Sequence, residues 1–197
     1  MKNNEIKSAI KNTFLDLYLK IPIQEIRVNK ICAKAHIGRS TFYHYYKNPE
    51  AILKEIEMEI IDDMLHIYLE YNYIDLFCLD DNIPAPNFYE MYKYVLRHKK
   101  IFRCFFKLEN YSYFIQESKK NIADKLKKTF SKYMNNDKII HYSCEFCAEY
   151  ILNACLMLIH YSDIISPKTL AIQTKKTICD MIKNQEIYFL KEEIKWK

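Results

Sequence analysis

One glycine in 197 residues is the tightest constraint on what this chain can become. Average usage is roughly 7%, so a chain of this length would ordinarily hold more than about a dozen. Glycine supplies tight turns, hairpins and phosphate-cradling loops. Its scarcity argues against hairpin-rich β folds. Neither GxxxxGK nor GxGxxG can be written with a single glycine, so a P-loop and a Rossmann fingerprint are excluded. The remaining class is all-α. Half the residues are apolar, which makes the chain globular, and its length fits one helical domain or two small ones sharing a core.

The longest strongly apolar stretch, Ile151 to Ile159, falls short of the roughly 20 residues a bilayer requires, so no membrane span is expected. Charges in MKNNEIKSAIKN stand where a signal peptide would carry its apolar region. The seven cysteines, an odd number without a secretory signal, read as reduced thiols in a cytoplasmic protein.

Charge is unevenly spread. Residues 1–47 carry nine Lys/Arg against three acids, whereas the other 150 residues carry 21 bases against 22 acids. The whole positive excess therefore lies in the first quarter of the chain. A basic module on a near-neutral body points to an anionic partner, nucleic acid foremost; a lysine-rich solvated surface is the alternative.

Ile6, Ile10, Phe14, Leu17 and Ile21 follow a helical period that Pro22 ends. A short helix is predicted from about Arg27 to Lys34, then a turn at His36-Ile37-Gly38, then a third helix over RSTFYHYY. Asn48-Pro49-Glu50 is a strong helix start, with an N-cap, proline at the first helical position and an acid at the positive dipole end. That helix, with Ile52, Ile56, Ile60, Met64 and Ile67 inward, extends to about Phe77. LDDNIPAPN (79–87) reads as a loop, and helices follow at about 88–98, 100–107, 111–133, 138–163 and 167–192.

Within 138–163, Ile140, Cys147, Ala154 and Tyr161 repeat every seven residues, as do Cys144, Ile151 and Leu158. Together they form an a/d seam. Phe146, Tyr150 and Met157 make a second face apolar, so this helix needs either a central core position or a subunit partner. The expected dimer contacts are Ile140, Cys144, Cys147, Ile151, Ala154 and Leu158.

Short helix, three-residue turn, short helix, inside a basic N-terminal unit, is the layout of a DNA-binding helix-turn-helix. Arg39 suits guanine O6/N7, Ser40 and Thr41 suit phosphate or base, and Tyr43, His44 and Tyr45 offer donors and flat faces. Lys47 stands at the helix exit, where a phosphate would pass. Phe42 and Tyr46 read as core, whereas Tyr43 faces the other way.

The stretch IRVNKICAKAHIGRSTFYHYYKNPEAIL (26–53) resembles the N-terminal domain of the TetR (tetracycline repressor) family of transcriptional regulators. The family pattern is matched at Val28, Ile31, Ala35, Thr41, Tyr43, Tyr45, Tyr46 and Leu53 with unbroken spacing. RHKKIFRCFFKLENYSYFIQESKKNI and ISPKTLA look more loosely like one subgroup's ligand and dimer domain. The resemblance implies a helix-turn-helix DNA-binding domain over 1–55 and a helical ligand-binding and dimerisation domain over 56–197. It implies phosphate contacts at Thr41, Tyr43 and Lys47, and base-edge contacts at Arg39, Ser40, His44 and Asn29. It further implies a homodimer on a pseudo-palindromic double-stranded DNA operator and a small-molecule effector that moves the helix starting at Asn48. The chain departs from the family's usual threonine, glycines and lysine at Arg27, Pro22, His36 and Pro49, and His36 must take the left-handed conformation.

Two other readings stay open. One is a helical regulator that works through protein contacts without DNA. The other is a thiol or metal sensor on Cys144 and Cys147, although a zinc site would want a further ligand pair and helical packing explains the spacing. No Ser/His/Asp arrangement, HExxH or phosphate loop is present, so no catalysis, metal or cofactor is expected.

Overall fold

The computed structural model describes residues 3–70, 80–106, 113–131 and 137–195, apart from the side chains of 68, 69, 129 and 182–195. Among these residues the chain is helical throughout: α1 Asn3–Tyr18, α2 Val28–Ala35, α3 Arg39–Tyr45, α4 Pro49–Glu70, α5 Pro86–Arg97, α6 Lys99–Phe105, α7 Tyr113–Phe130, α8 Asp137–His160 and α9 Pro167–Lys195. A single 3₁₀ turn, Ile23–Glu25, follows Pro22. The chain divides into two compact units, Met1–Asp63 with Lys99–Phe114, and Met64–His98 with Ile115–Lys197.

The helix starts are built as their residues dictate. Asn48 Oδ1 accepts the Ala51 amide at 2.9 Å, and Ser166 Oγ accepts the Thr169 amide at 3.1 Å. Each satisfies one of the orphan donors of a helix N-terminus ahead of a proline. The loop before α5 gives way at Pro86, two residues earlier than the sequence indicates. The end of α4 beyond Glu70, and with it the expected limit at Phe77, lies outside the described residues.

In the first unit Ile10, Phe14, Leu17, Ile31, Phe42, Ile52, Ile56 and Ile60 make the core, as their spacing requires. Phe102, Phe105 and Phe114 close it, with Phe105 stacked on Phe114 at a centroid distance of 4.4 Å. Glu57 is a buried carboxyl among these apolar neighbours. Burial pushes its pKa up from an ordinary 4.5, against the opposing pull of the Phe114 amide. The folded state thus holds this proton more tightly than the unfolded chain does. Its contribution favours folding below about pH 4.5 and is lost as pH rises through the raised value. Glu57→Gln keeps an acceptor for the Phe114 amide. It should therefore raise the melting temperature at pH 7 and change it little at pH 4.

In the second unit α5, α8 and α9 pack against one another. Tyr92 and Thr174 share a buried hydroxyl hydrogen bond of 2.7 Å. Lys175 of α9, 2% exposed, donates its ammonium to the backbone carbonyls of Asp80 and Ile83.

The a/d seam of α8 is internal: Ile140, Cys144, Cys147, Ile151, Ala154 and Leu158 are each at most 6% exposed within one chain. The chain's own helices cover them. The face left bare is the opposite one, where Tyr142, Phe146 and Met157, all 46–60% exposed, lie within about 60° of one another around the helix. Tyr161, just beyond the helix end, is also 46% exposed. Taken over its 24 residues, α8 is long and apolar enough to cross a bilayer by length and composition. More than half of that apolar window is instead buried against the rest of the chain.

Candidate nucleic-acid interface

The site begins with the turn between α2 and α3. Its first residue, His36, has φ 53° and ψ 44°, the one positive φ of a non-glycine among the described residues. The left-handed step lets the amides of His36 and Ile37 both reach the Cys32 carbonyl, ending α2 and redirecting the chain. An L-residue pays for this conformation, so His36→Gly should stabilise the unit by about 0.5–1 kcal/mol, readable as a higher unfolding midpoint. Gly38, by contrast, is extended at φ −73° and ψ 156°. A Cβ there would sit 3.7 Å from Ser40 Oγ and 3.8 Å from Thr41 Oγ1, ordinary contacts, so neither backbone nor packing demands the glycine.

α3 presents one face inward and one outward. Phe42 is fully buried and Tyr46 is 4% exposed, as read from the sequence, and they fix the helix against the core. On the outer side Arg39, Ser40, Tyr43 and His44 are exposed, and Lys47 is exposed just past the helix. Tyr43 keeps 58% of its surface, standing edge-on to Phe42. Asn29 is exposed on α2 and accepts a hydrogen bond from Arg39 Nε at 2.5 Å. Thr41 is half-buried. The seven expected contact residues thus divide into six exposed side chains and one at the margin.

What the sequence reading missed is how this headpiece is held. Lys7 and Lys11 on α1 face Glu55 and Glu59 on α4, with Lys7–Glu55 at 3.0 Å, Lys11–Glu55 at 2.5 Å and Lys11–Glu59 at 2.6 Å. Burial alone would raise the Glu55 pKa, but the hydrogen bonds from Lys11 and Lys7 outweigh it and hold the carboxyl below its usual range. Tyr46 donates to Glu55 at 3.3 Å, while Lys7 stands 5.9 Å above its ring. Burial first, and the Glu55 charge second, push this phenol upward, so it stays a donor. Tyr45 donates to Asn3 Oδ1 at 2.8 Å, pinning the far end of α3 to α1. Two lysines four apart and two glutamates four apart are a readable signal, since each pair shares one helix face.

Elsewhere the chemistry is sparse. Burial pushes the thiols of Cys144 and Cys147 up to about 12. Among the described residues no cluster of three His, Cys, Asp or Glu could hold a metal ion.

No protein-family model matches the chain, and neither does the sequence of any curated protein. Solved structures do match. A TetR transcriptional regulator from Streptococcus agalactiae superposes with a TM-score of 0.62 at 16% identity, over 89% of this chain and 94% of that one. The dihydroxyacetone kinase operon activator DhaS gives 0.59 at 21% identity, over 90% and 96%. NalD, the secondary repressor of the MexAB-OprM multidrug efflux pump in Pseudomonas aeruginosa, gives 0.61 at 12% identity, over 91% and 98%. The chain has the all-α fold of these regulators.

Proposed function

We propose that this chain, with the fold of the TetR-family regulators as its premise, is itself a DNA-binding transcriptional regulator of that family. The observation that carries the reading is the outer face of the helix-turn-helix. Arg39, Ser40, Tyr43, His44 and Lys47 stand in solvent on a short helix whose other side is anchored by Phe42 and Tyr46, in the quarter of the chain that holds all the excess positive charge. An exposed row of donors, flat rings and cations on a fixed helix is what major-groove readout requires.

The headpiece over 1–55 is the DNA-binding part of this proposal, and 56–197 the effector-binding and dimerising part. Two copies joined through the bare face of α8 would read a pseudo-palindromic operator whose half-sites lie about one helical turn or a multiple apart. A small-molecule effector would shift the population between two headpiece spacings through α4. A cytoplasmic location and the absence of catalysis follow from the same reading. Relatives of this fold act in both directions, DhaS as an activator and NalD as a repressor. We favour repression, which needs only that the dimer occupy its operator.

Selection of bound duplexes from random DNA tests the reading directly. Arg39→Ala should cost about 1–3 kcal/mol at one base position, whereas Lys47→Ala should weaken every duplex alike and lower the salt slope by about one. If neither variant changes affinity for a selected operator, the recognition-helix assignment is wrong. If no duplex is retained by the unmodified protein at any salt concentration, the helical body works through protein contacts instead.

A further inference from the structure

Asn29 on α2 and Arg39 at the start of α3 meet across the turn, the Arg39 Nε–H donating to Asn29 Oδ1 at 2.5 Å. Both side chains are exposed, so neither needs the other to satisfy a buried group. A guanidinium offers two edges that can fork onto a pair of acceptors: Nε with one Nη, and the two Nη together. Asn29 occupies Nε, which engages the first edge and leaves the Nη pair as the one able to reach a base. A second observation agrees. Cys32, one turn along α2 from Asn29, has its thiol pushed up by burial and drawn partly back by the Arg39 charge, so the guanidinium lies over α2.

We propose that Asn29 is a positioning residue, which reads no base itself but holds Arg39 so that its two Nη nitrogens donate to O6 and N7 of one guanine in each half-site. The inference rests on the DNA-binding reading above. Guanine alone presents two adjacent acceptors on its major-groove edge. Adenine would set its N6 amino group against an Nη donor, and thymine would set its methyl group there. An arginine free to turn about its side chain would accept several of these arrangements. One held by Asn29 accepts a single arrangement, so the fixed rotamer is itself the source of discrimination.

The full-length protein and duplexes selected by it from a random pool provide the test, read as preference for a guanine over the other bases at each position. Arg39→Ala should lower that preference at one position by about tenfold or more. Asn29→Ala should lower it at the same position by roughly three- to tenfold, while Asn29→Asp, which retains an acceptor for Nε, should keep it within about twofold even if affinity for all duplexes falls. In the Arg39→Ala background Asn29→Ala should change nothing further.

A full guanine preference in Asn29→Ala would overturn the inference. So would a loss at a different base pair or an additional loss in the Arg39→Ala background, since Asn29 would then read DNA itself. Preference untouched by Arg39→Ala would remove the recognition-helix assignment together with this inference, yet leave DNA binding standing. Failure to select any duplex would overturn the DNA-binding reading and everything resting on it.

Discussion

Replacing Ile151 with aspartate is expected to unfold the helical body rather than to release a folded monomer. Ile151 is fully buried at the middle of α8, with α5 and α9 packed against that helix. Removing its branched side chain would cost about 2–5 kcal/mol in lost packing. A carboxylate in its place has no partner among the apolar seam residues, and an unpaired buried charge adds several kcal/mol more. The sum is comparable with the roughly 5–15 kcal/mol that holds a typical domain together. Circular dichroism and size-exclusion chromatography should show lost helix and an expanded or aggregated chain. A monomer melting at the native temperature would place Ile151 against a partner and reverse the assignment of the seam.

The complementary result is expected on the other face. Phe146→Glu combined with Met157→Glu should leave helix content and melting temperature nearly unchanged, because both side chains are about half exposed in the single chain. Assembly should be lost. Each partner would bring two carboxylates into an apolar contact, where like charges repel and must shed water. Sedimentation over a range of concentrations should then find a monomer where the unmodified protein dimerises. Operator affinity should fall by about 10²–10⁴, the gain that comes from linking two half-site contacts. A variant that still assembled would exclude this face as the interface. An unmodified protein that stayed monomeric at high concentration would exclude the dimer altogether.

The two variants differ in register, and register is where sequence reasoning stopped. A helix apolar on two sides announces that both must be covered, but hydrophobic period does not say which side meets the chain's own core. The heptad through Ile151 and Leu158 looks like a subunit seam because both kinds of packing use the same spacing. Telling them apart takes the placement of α5 and α9 against one side of α8, and that is a tertiary fact. The headpiece was more legible because its signals are local. Pro22, the Asn48-Pro49 start and the alternation of Phe42 with Tyr43 each act within one or two turns of helix. His36 was readable for the same reason: a turn without glycine at that point must put an L-residue at positive φ, and φ is 53°. The lysine partners of Glu55 lie more than forty residues away on α1, so their meeting depends on how α1 and α4 cross. Two i,i+4 pairs of opposite sign hinted at it. The Asn29–Arg39 bond spans ten residues, yet it depends on the angle set by His36 and could not be placed without it.

The Lys175 clamp separates the course of a loop from its wording. The ammonium holds Asp80 and Ile83 by their carbonyls, a group that every amino acid carries. Side chains at 80 and 83 take no part in that grip, so a substitution at Ile83 need not release it, whereas the Asp80 carboxylate also accepts the Asn82 amide at 2.8 Å and shapes the turn itself. The lysine has no such freedom: one position on α9 stores the path of a segment more than ninety residues earlier.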